Sequence, residues 1–554
     1  MRLKPISKRY MRHIVAKTIL TCTLGLSCWT WSGAQTFLDK GKFSASLETN
    51  NVVYVNDEAI GAEAPEDRFG SNTYLKMDYG IGKFSAGLQI ETYLPALYGF
   101  ELGQQPDPKK FFLGSKYVRW SADSFTIHVG DIYDQFGNGL VFRSYEDRNL
   151  GFNNALEGVY AAFNLNNWFT LKGMYGRPRL YTDHAGSWVR GADLNISFGD
   201  IFKWDSIVLD LEGSYVNRYE SLDKPSDYLF SEMGVTSPNV HLFSGALNFG
   251  WNGLSLKAEY AAKSKDLCAF TQPNATKGAA IFAEINYAVK TFSASGTFRL
   301  VDHMGTMLSL YGNGTGNTLN YIPALSRQYH YLLANLEPHQ VNLVGECAGQ
   351  ADLYYTLRSK SSRSKYWIFH ANFSTAWTIS KNQTDDGSRR MTWMDINADA
   401  ECHWMKSLKT TFLYSRQEYS PDHGFIPGTI ASNIFVADVQ YKFNKTYALR
   451  GELQYLFAKA RGYEEGMTPV KYEGDWVAAL LEFSIAPQWN VYASEMYNFG
   501  KNQHYYNAGV SWAKGRTRVQ VSYGRNRAGY VCSGGVCRYS PAYTGLNVLL
   551  TAVF

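Results

Sequence analysis

The sequence predicts an all-β chain, a single transmembrane antiparallel β-barrel of about 24 strands, with a range of 20 to 28. Three observations carry this: an export signal at the start, long runs in which apolar and polar residues alternate, and a terminal strand that ends in Phe554.

The signal comes first in the chain. Arg2, Lys4, Lys8, Arg9, Arg12 and Lys17 precede an uncharged stretch from Thr18 to Trp31, and Ser32-Gly33-Ala34 then offers small residues before Gln35. This order of charge, apolar stretch and small residues is that of a secretory signal, cleaved after Ala34. The stretch is too short and too diluted by Thr, Ser and Gly for a spanning helix, which needs roughly 20 apolar residues. Acylation at Cys28 would want Leu where Gly25 stands. Residues 35–554 are then one barrel domain. Losing the signal removes six of the 54 Lys and Arg and none of the 49 Asp and Glu, so the mature chain carries 48 basic against 49 acidic side chains. A nucleic-acid binder needs a basic patch on a net positive domain, and this balance removes the main support for that class.

Alternation builds the wall. A strand between lipid and a wet lumen shows a side-chain period of two. Phe43, Ala45 and Leu47 alternate with Ser44, Ser46 and Glu48. Phe84, Ala86, Leu88 and Ile90 alternate with Ser85, Gln89 and Glu91 after a tight turn at Gly80-Ile81-Gly82-Lys83. Phe435, Ala437, Val439, Tyr441 and Phe443 alternate with Asp438, Gln440 and Lys442, and the pattern resumes beyond Asn444-Lys445. One face carries charges of both signs, which a dry sandwich core could not accept unpaired. The 39 Tyr and 14 Trp suit aromatic girdles at two water interfaces.

Connections set the strand number. Tight turns near 80–83, 121–124, 164–167, 250–253, 444–446, 486–488 and 513–516 alternate with long segments near 55–72, 95–110, 132–156, 217–241, 302–342 and 458–475. Outer-membrane barrels have short periplasmic turns and long outer loops, so about twelve long loops give about 24 strands. A barrel this wide with no preceding plug domain should leak, unless long loops such as 132–156 or 302–342 fold inward. In the last strand, residues 546, 548, 550, 552 and 554 are apolar, and the terminal Phe554 reads as an assembly signal for barrel-assembly machinery.

Several residues could carry chemistry. Cys532 and Cys537 flank Gly534-Gly535 and, in an oxidising compartment, predict a disulfide pinching the last outer loop. Cys268, Cys347 and Cys402 leave an odd count. Cys402-His403 is no metal pair, because adjacent strand residues face opposite ways, and no metal or other cofactor is expected. Arg119, Asp131, Arg143, Glu146, Asp147, Arg148, Arg177, Arg179, Arg190 and Asp193 form the densest charge cluster, expected in the lumen because unpaired Arg or Lys facing lipid costs roughly 2–4 kcal/mol at the midplane. They read either as a selectivity constriction or as a charge ladder tying an inward-folded loop to the wall, and the ladder is favoured. The ten mature histidines fall in no catalytic motif, so no catalytic residues and no enzymatic activity are expected.

Gly130 to Gly151, the stretch Gly345 to Tyr355, and Gly524-Arg525-Asn526-Arg527 leading into the Cys532/Cys537 loop resemble an uncharacterised family of Bacteroidota-type outer-membrane β-barrel proteins, known as a domain of unknown function. Gln35 resembles that group's usual mature start, and Cys347 departs from its pattern. The resemblance implies fold and an outer-membrane location, with no family active site. Two functions follow as expectations: a pore for a hydrophilic solute or polymer, or a non-conducting accessory barrel that binds partners in secretion or surface assembly. Outer-membrane lipid is the expected surrounding in both.

Overall fold

The structure, a computed structural model, describes residues 41–554 apart from 224–226, 269–273, 363, 380–382, 385, 464–471 and 534–535. The export signal at 1–34 and the mature start at Gln35 lie outside the described residues.

Twenty-four antiparallel strands form one closed sheet, from Lys42–Val55 to Tyr543–Val553. Closure is direct: the first strand pairs with the last from Ser46↔Val553 to Val55↔Thr544. The backbone of Phe554 continues the seam by exchanging hydrogen bonds with Ala45. Every strand of this sheet therefore has two neighbours, and among the described residues the barrel wall has no open edge.

Local chemistry explains the turns. Asn252-Gly253, with φ of 44° and 80°, closes Asn239–Trp251 onto Leu254–Asp266 as a two-residue hairpin that accepts left-handed backbone. Tight connections recur at 82–83, 290–291, 406–407 and 515–516, and the longest ones, 133–155 and 303–344, leave the opposite end.

The two faces separate as the alternation predicts. Val118, Val159, Phe243, Tyr260, Ile396, Phe435, Leu453 and Leu481 are exposed outward. Tyr175, Trp188, Phe243 and Trp377 form an aromatic girdle towards the long-loop end, and Phe84, Trp251, Tyr441 and Trp489 form another towards the turns. Inward positions carry Asp210, Lys257, Glu284, Arg450 and Glu482.

The lumen holds the buried core. Residues 303–344 form no strand, yet Met304, Leu308, Leu319 and Leu333 are buried. A water-exposed loop would not carry so many apolar side chains; burying each contributes roughly 1.5–3 kcal/mol. Met304, Leu308 and Leu319 pack with Phe136, Leu140 and Phe142 of the 133–155 loop against wall residues from Val189 to Trp393. Farther along, Tyr329, Tyr331 and Leu333 pack on Leu413, Ile434 and Trp476. Two outer loops thus fold inward and fill the long-loop half of the barrel.

Candidate functional site: the lumenal plug and its crevice

The plug is wired to the wall by inward-facing charges. At the tip of 133–155, Gly137 and Gly139 have φ of 53° and 91°, which L residues rarely adopt. The reversal aims backbone amides at carboxylates of the wall. Gly137 N donates to Glu212 at 2.7 Å, and Asn138 donates to Glu259 through its backbone N at 2.7 Å and its side-chain amide at 2.8 Å. A Cβ on Gly137 would meet the Glu259 carboxylate at 2.7 Å, so the approach needs glycine there.

The 303–344 segment is held in the same way. Arg218 pairs with Asp266 at 2.9 Å and donates to the Met307 carbonyl at 2.7 Å. Lys263 Nζ donates to Gly305 O at 2.6 Å, and Glu220 accepts from Ser309 Oγ and Leu310 N. Arg299 pairs with Glu346, which also receives His339, while Arg299 reaches the Pro323 carbonyl. Arg327 donates to Asn397 and pairs with Asp399. Apart from the half-buried Arg327 and Asp399, these charges are buried yet partnered, the condition under which burial is tolerable.

The predicted cluster divides into three groups. Arg119, Arg143, Glu146, Asp147, Arg148 and Asp193 belong to the lumen or the plug. Arg148 spans loop and wall, pairing with Glu48 at 2.9 Å and Glu146 at 3.3 Å and lying 4.5 Å from the Tyr74 ring. Burial opposes its charge, but Glu146 and Glu48 outweigh burial and raise its pKa. Arg143 is clamped between the rings of Tyr145 and Tyr321, joining the two plug loops. Asp147 caps Asn149 N and Leu150 N, Asp193 accepts from Ser214, and Arg119 donates to His128. Arg179 is buried at its strand end, in a forked pair with Glu91 at 2.7 Å.

The expectation of a wholly lumenal cluster fails for Asp131, Arg177 and Arg190. Tyr175 faces outward, 50% exposed, and pairs with Val159 and Arg190; Arg177, two residues on, shares its face and pairs with Glu157, which pairs with Asp131. Their charge is tolerated because they stand level with the girdle at the long-loop interface, where the cost of facing lipid falls to roughly 0–1 kcal/mol.

A crevice of about 560 Å³ remains between the plug and the inner faces of the first, second and last strands, lined by Glu48, Asn50, Asn72, Tyr74, Arg148 and Thr551. Its outer end is roofed by the hairpin Gly529–Ser533 and Val536–Ser540, which carries the expected Cys532–Cys537 disulfide. Arg538 of this hairpin donates to the carbonyls of Gly99 and Asn149 and lies 4.0 Å from the Phe100 ring. Burial there lowers its pKa. The apolar hollow of about 880 Å³ lined by Phe369, Phe412, Phe435 and Leu453 lies on the outer wall and belongs to the apolar surface. Cys268, Cys347 and Cys402 are free thiols, and Cys268 donates to the Leu343 carbonyl at the base of the plug.

Reading the sequence missed the wall carboxylates Glu212, Glu220 and Glu259 and the arginines Arg218, Arg299 and Arg327. Their signal was present: each stands at an inward position of an alternating strand or, for Glu220, directly after one, or, for Arg327, inside a loop too apolar for water.

No curated protein matches the chain by sequence. Among solved structures, it is similar to the siderophore receptor PirA from Pseudomonas aeruginosa, with 8% identity, 93% of this chain and 80% of that one covered, and a TM-score of 0.42. It is also similar to OpdQ from Pseudomonas aeruginosa, with 10% identity, coverage of 94% and 99%, and a TM-score of 0.32. The copper transporter OprC gives 9% identity, coverage of 93% and 81%, and a TM-score of 0.40. A family model matches residues 11–554, and the chain belongs to that family, the Family of unknown function (DUF6029).

Proposed function

We propose that this protein is an outer-membrane β-barrel that passes a hydrophilic solute or polymer through its lumen, and that loops 133–155 and 303–344 hold the passage closed at rest. The outer-membrane part rests on the closed sheet and its outward apolar surface between two aromatic girdles. Transport rests on the lumen itself. Its turn-side half presents Asp210, Lys257, Glu284, Arg450 and Glu482 inward, a lining that suits water and polar solutes. Charges of both signs fit a passage for neutral or zwitterionic cargo better than one tuned to a single sign.

The observation that carries the reading is the apolar cluster joining Phe136, Leu308 and Leu319 to walls as far apart as Val189 and Trp393. It closes the lumen by side-chain packing, hydrogen bonds and ion pairs, a closure that can be undone without unfolding the wall. No catalytic step is assigned.

The same packing also suits a non-conducting accessory barrel for secretion or surface assembly, and planar-bilayer recordings of the purified protein separate the two. Voltage-driven transitions from a silent state to a conducting one, with ion selectivity altered in Arg450→Ala, support the channel. Silence at all voltages together with stoichiometric partner proteins on purification refutes it.

A further inference from the structure

The outer wall carries a cationic site at its long-loop rim. Arg177 and Arg190 are diagonal neighbours on one outward face, close enough for two long side chains to reach a common ligand. The Arg177 guanidinium lies 5.8 Å from the Trp188 ring, Trp188 stacks on Tyr175 at 5.2 Å, and Arg190 stands opposite Tyr175, so the arginines are interleaved with the aromatic girdle. Arg190 Nε is oriented by Asn217 Oδ1 at 2.8 Å.

The nearby acids are already taken. Glu157 holds Lys116 at 2.7 Å and His184 at 2.6 Å, Asp131 accepts from Lys116 N, and Asp183 holds Lys109 at 3.1 Å. Neither Arg177 nor Arg190 pairs with a carboxylate among the described residues. Arg177 donates through Nη2 to the Ala185 carbonyl, and its buried Nε has no acceptor. Two guanidinium forks are thus left with donors to spare at the level where lipid headgroups begin.

We propose that Arg177 and Arg190 bind the phosphate of a phosphorylated glycolipid headgroup in the outer leaflet. Guanidinium forks match phosphate oxygens bidentately. The position selects a lipid over a free anion, because the site opens on the apolar wall with the arginines interleaved among the girdle rings, Arg190 opposite Tyr175 and Arg177 level with Trp188, where a headgroup meets its acyl chains. The inference rests on the outer-membrane reading and is independent of transport.

The test titrates the purified full chain in maltoside micelles with diphosphoryl lipid A and with its dephosphorylated counterpart, reading bound lipid by native mass spectrometry. The wild type is expected to favour the phosphorylated lipid at least tenfold. R177Q/R190Q should lose that preference and Arg518→Gln, remote from the site, should keep it. Equal binding of both lipids by the wild type, an unchanged preference in R177Q/R190Q, or displacement of the lipid by excess inorganic phosphate overturns the proposal. The single variants R177Q and R190Q give the same reading should the pair fail to fold. A heat-modifiable gel shift is recorded for every sample, and its absence in the wild type would refute the outer-membrane barrel itself, a failure distinct from loss of lipid preference.

Discussion

Removing the two carboxylates that hold the tip of the 133–155 loop should open that loop and leave the wall intact. In E212A/E259A three hydrogen bonds to charged acceptors disappear: Gly137 N to Glu212, and two from Asn138 to Glu259. Bonds to charged groups contribute about 1.5–3 kcal/mol each. Glu259 is almost fully buried and its Oε1 has no partner, so its removal also relieves a desolvation cost and places the sum at the lower end. A loss of about 4 kcal/mol shifts the closed-to-open ratio roughly a thousandfold. Hydrogen exchange reads this directly, because the amides of Gly137 and Asn138 are themselves the donors. Their protection should fall about three orders of magnitude while Asn239–Trp251 in the wall keeps its own. Unchanged protection at 137–142 would refute the tethering, and a uniform loss across the wall would mean that these carboxylates stabilise the barrel rather than the plug.

Leu308→Ala removes a fully buried side chain from the centre of the plug and should cost about 3–5 kcal/mol of docking, seen in calorimetry as an earlier, smaller transition with the main barrel transition unmoved. Reducing Cys532–Cys537 should leave the barrel transition in place, since a short loop contributes only about 2 kcal/mol by chain entropy and both cysteines sit in the roof hairpin; trypsin should then cut at Arg538 faster. Deleting Phe554 breaks its two backbone bonds to Ala45 at the seam and should lower the heat-modifiable fraction recovered from outer membranes several-fold, with aggregated chain accumulating in its place.

Much of the wall was legible because the barrel imposes one rule on every strand. Period-two alternation places Phe435, Ala437 and Val439 on one face and Asp438 and Gln440 on the other, and most tight turns declare themselves by Gly, Asn or Lys between two such runs, with Ala-Asp-Ser at 122–124 and Ala-Pro-Gln at 486–488 as other turn formers. The even count followed from the alternation of turns and loops. The plug was legible only in outline. Met304, Leu308, Leu319 and Leu333 mark 303–344 as a segment that must be buried, yet no periodicity says against which strands, because an irregular chain has no fixed direction for its side chains. Arg148 was recognised as a loop-to-wall tie, whereas its partner Glu48 lies a hundred residues away and only closure of the sheet brings it near. Arg177 and Arg190 were misplaced for a related reason. Charge alone points to the lumen, but counting along the strands from Tyr175 puts both on the outer face, where depth in the membrane matters more than side.

The central claim is that the chain's own loops close an otherwise passable lumen. Replacing residues 304–343 by a short Gly-Ser linker and recording single-channel currents tests it most directly, with the heat-modifiable shift confirming the barrel. The account predicts a wild type silent at low voltage and a deletion variant with a large, steady conductance. A steadily open wild type, or a correctly folded deletion variant as silent as its parent, would contradict it.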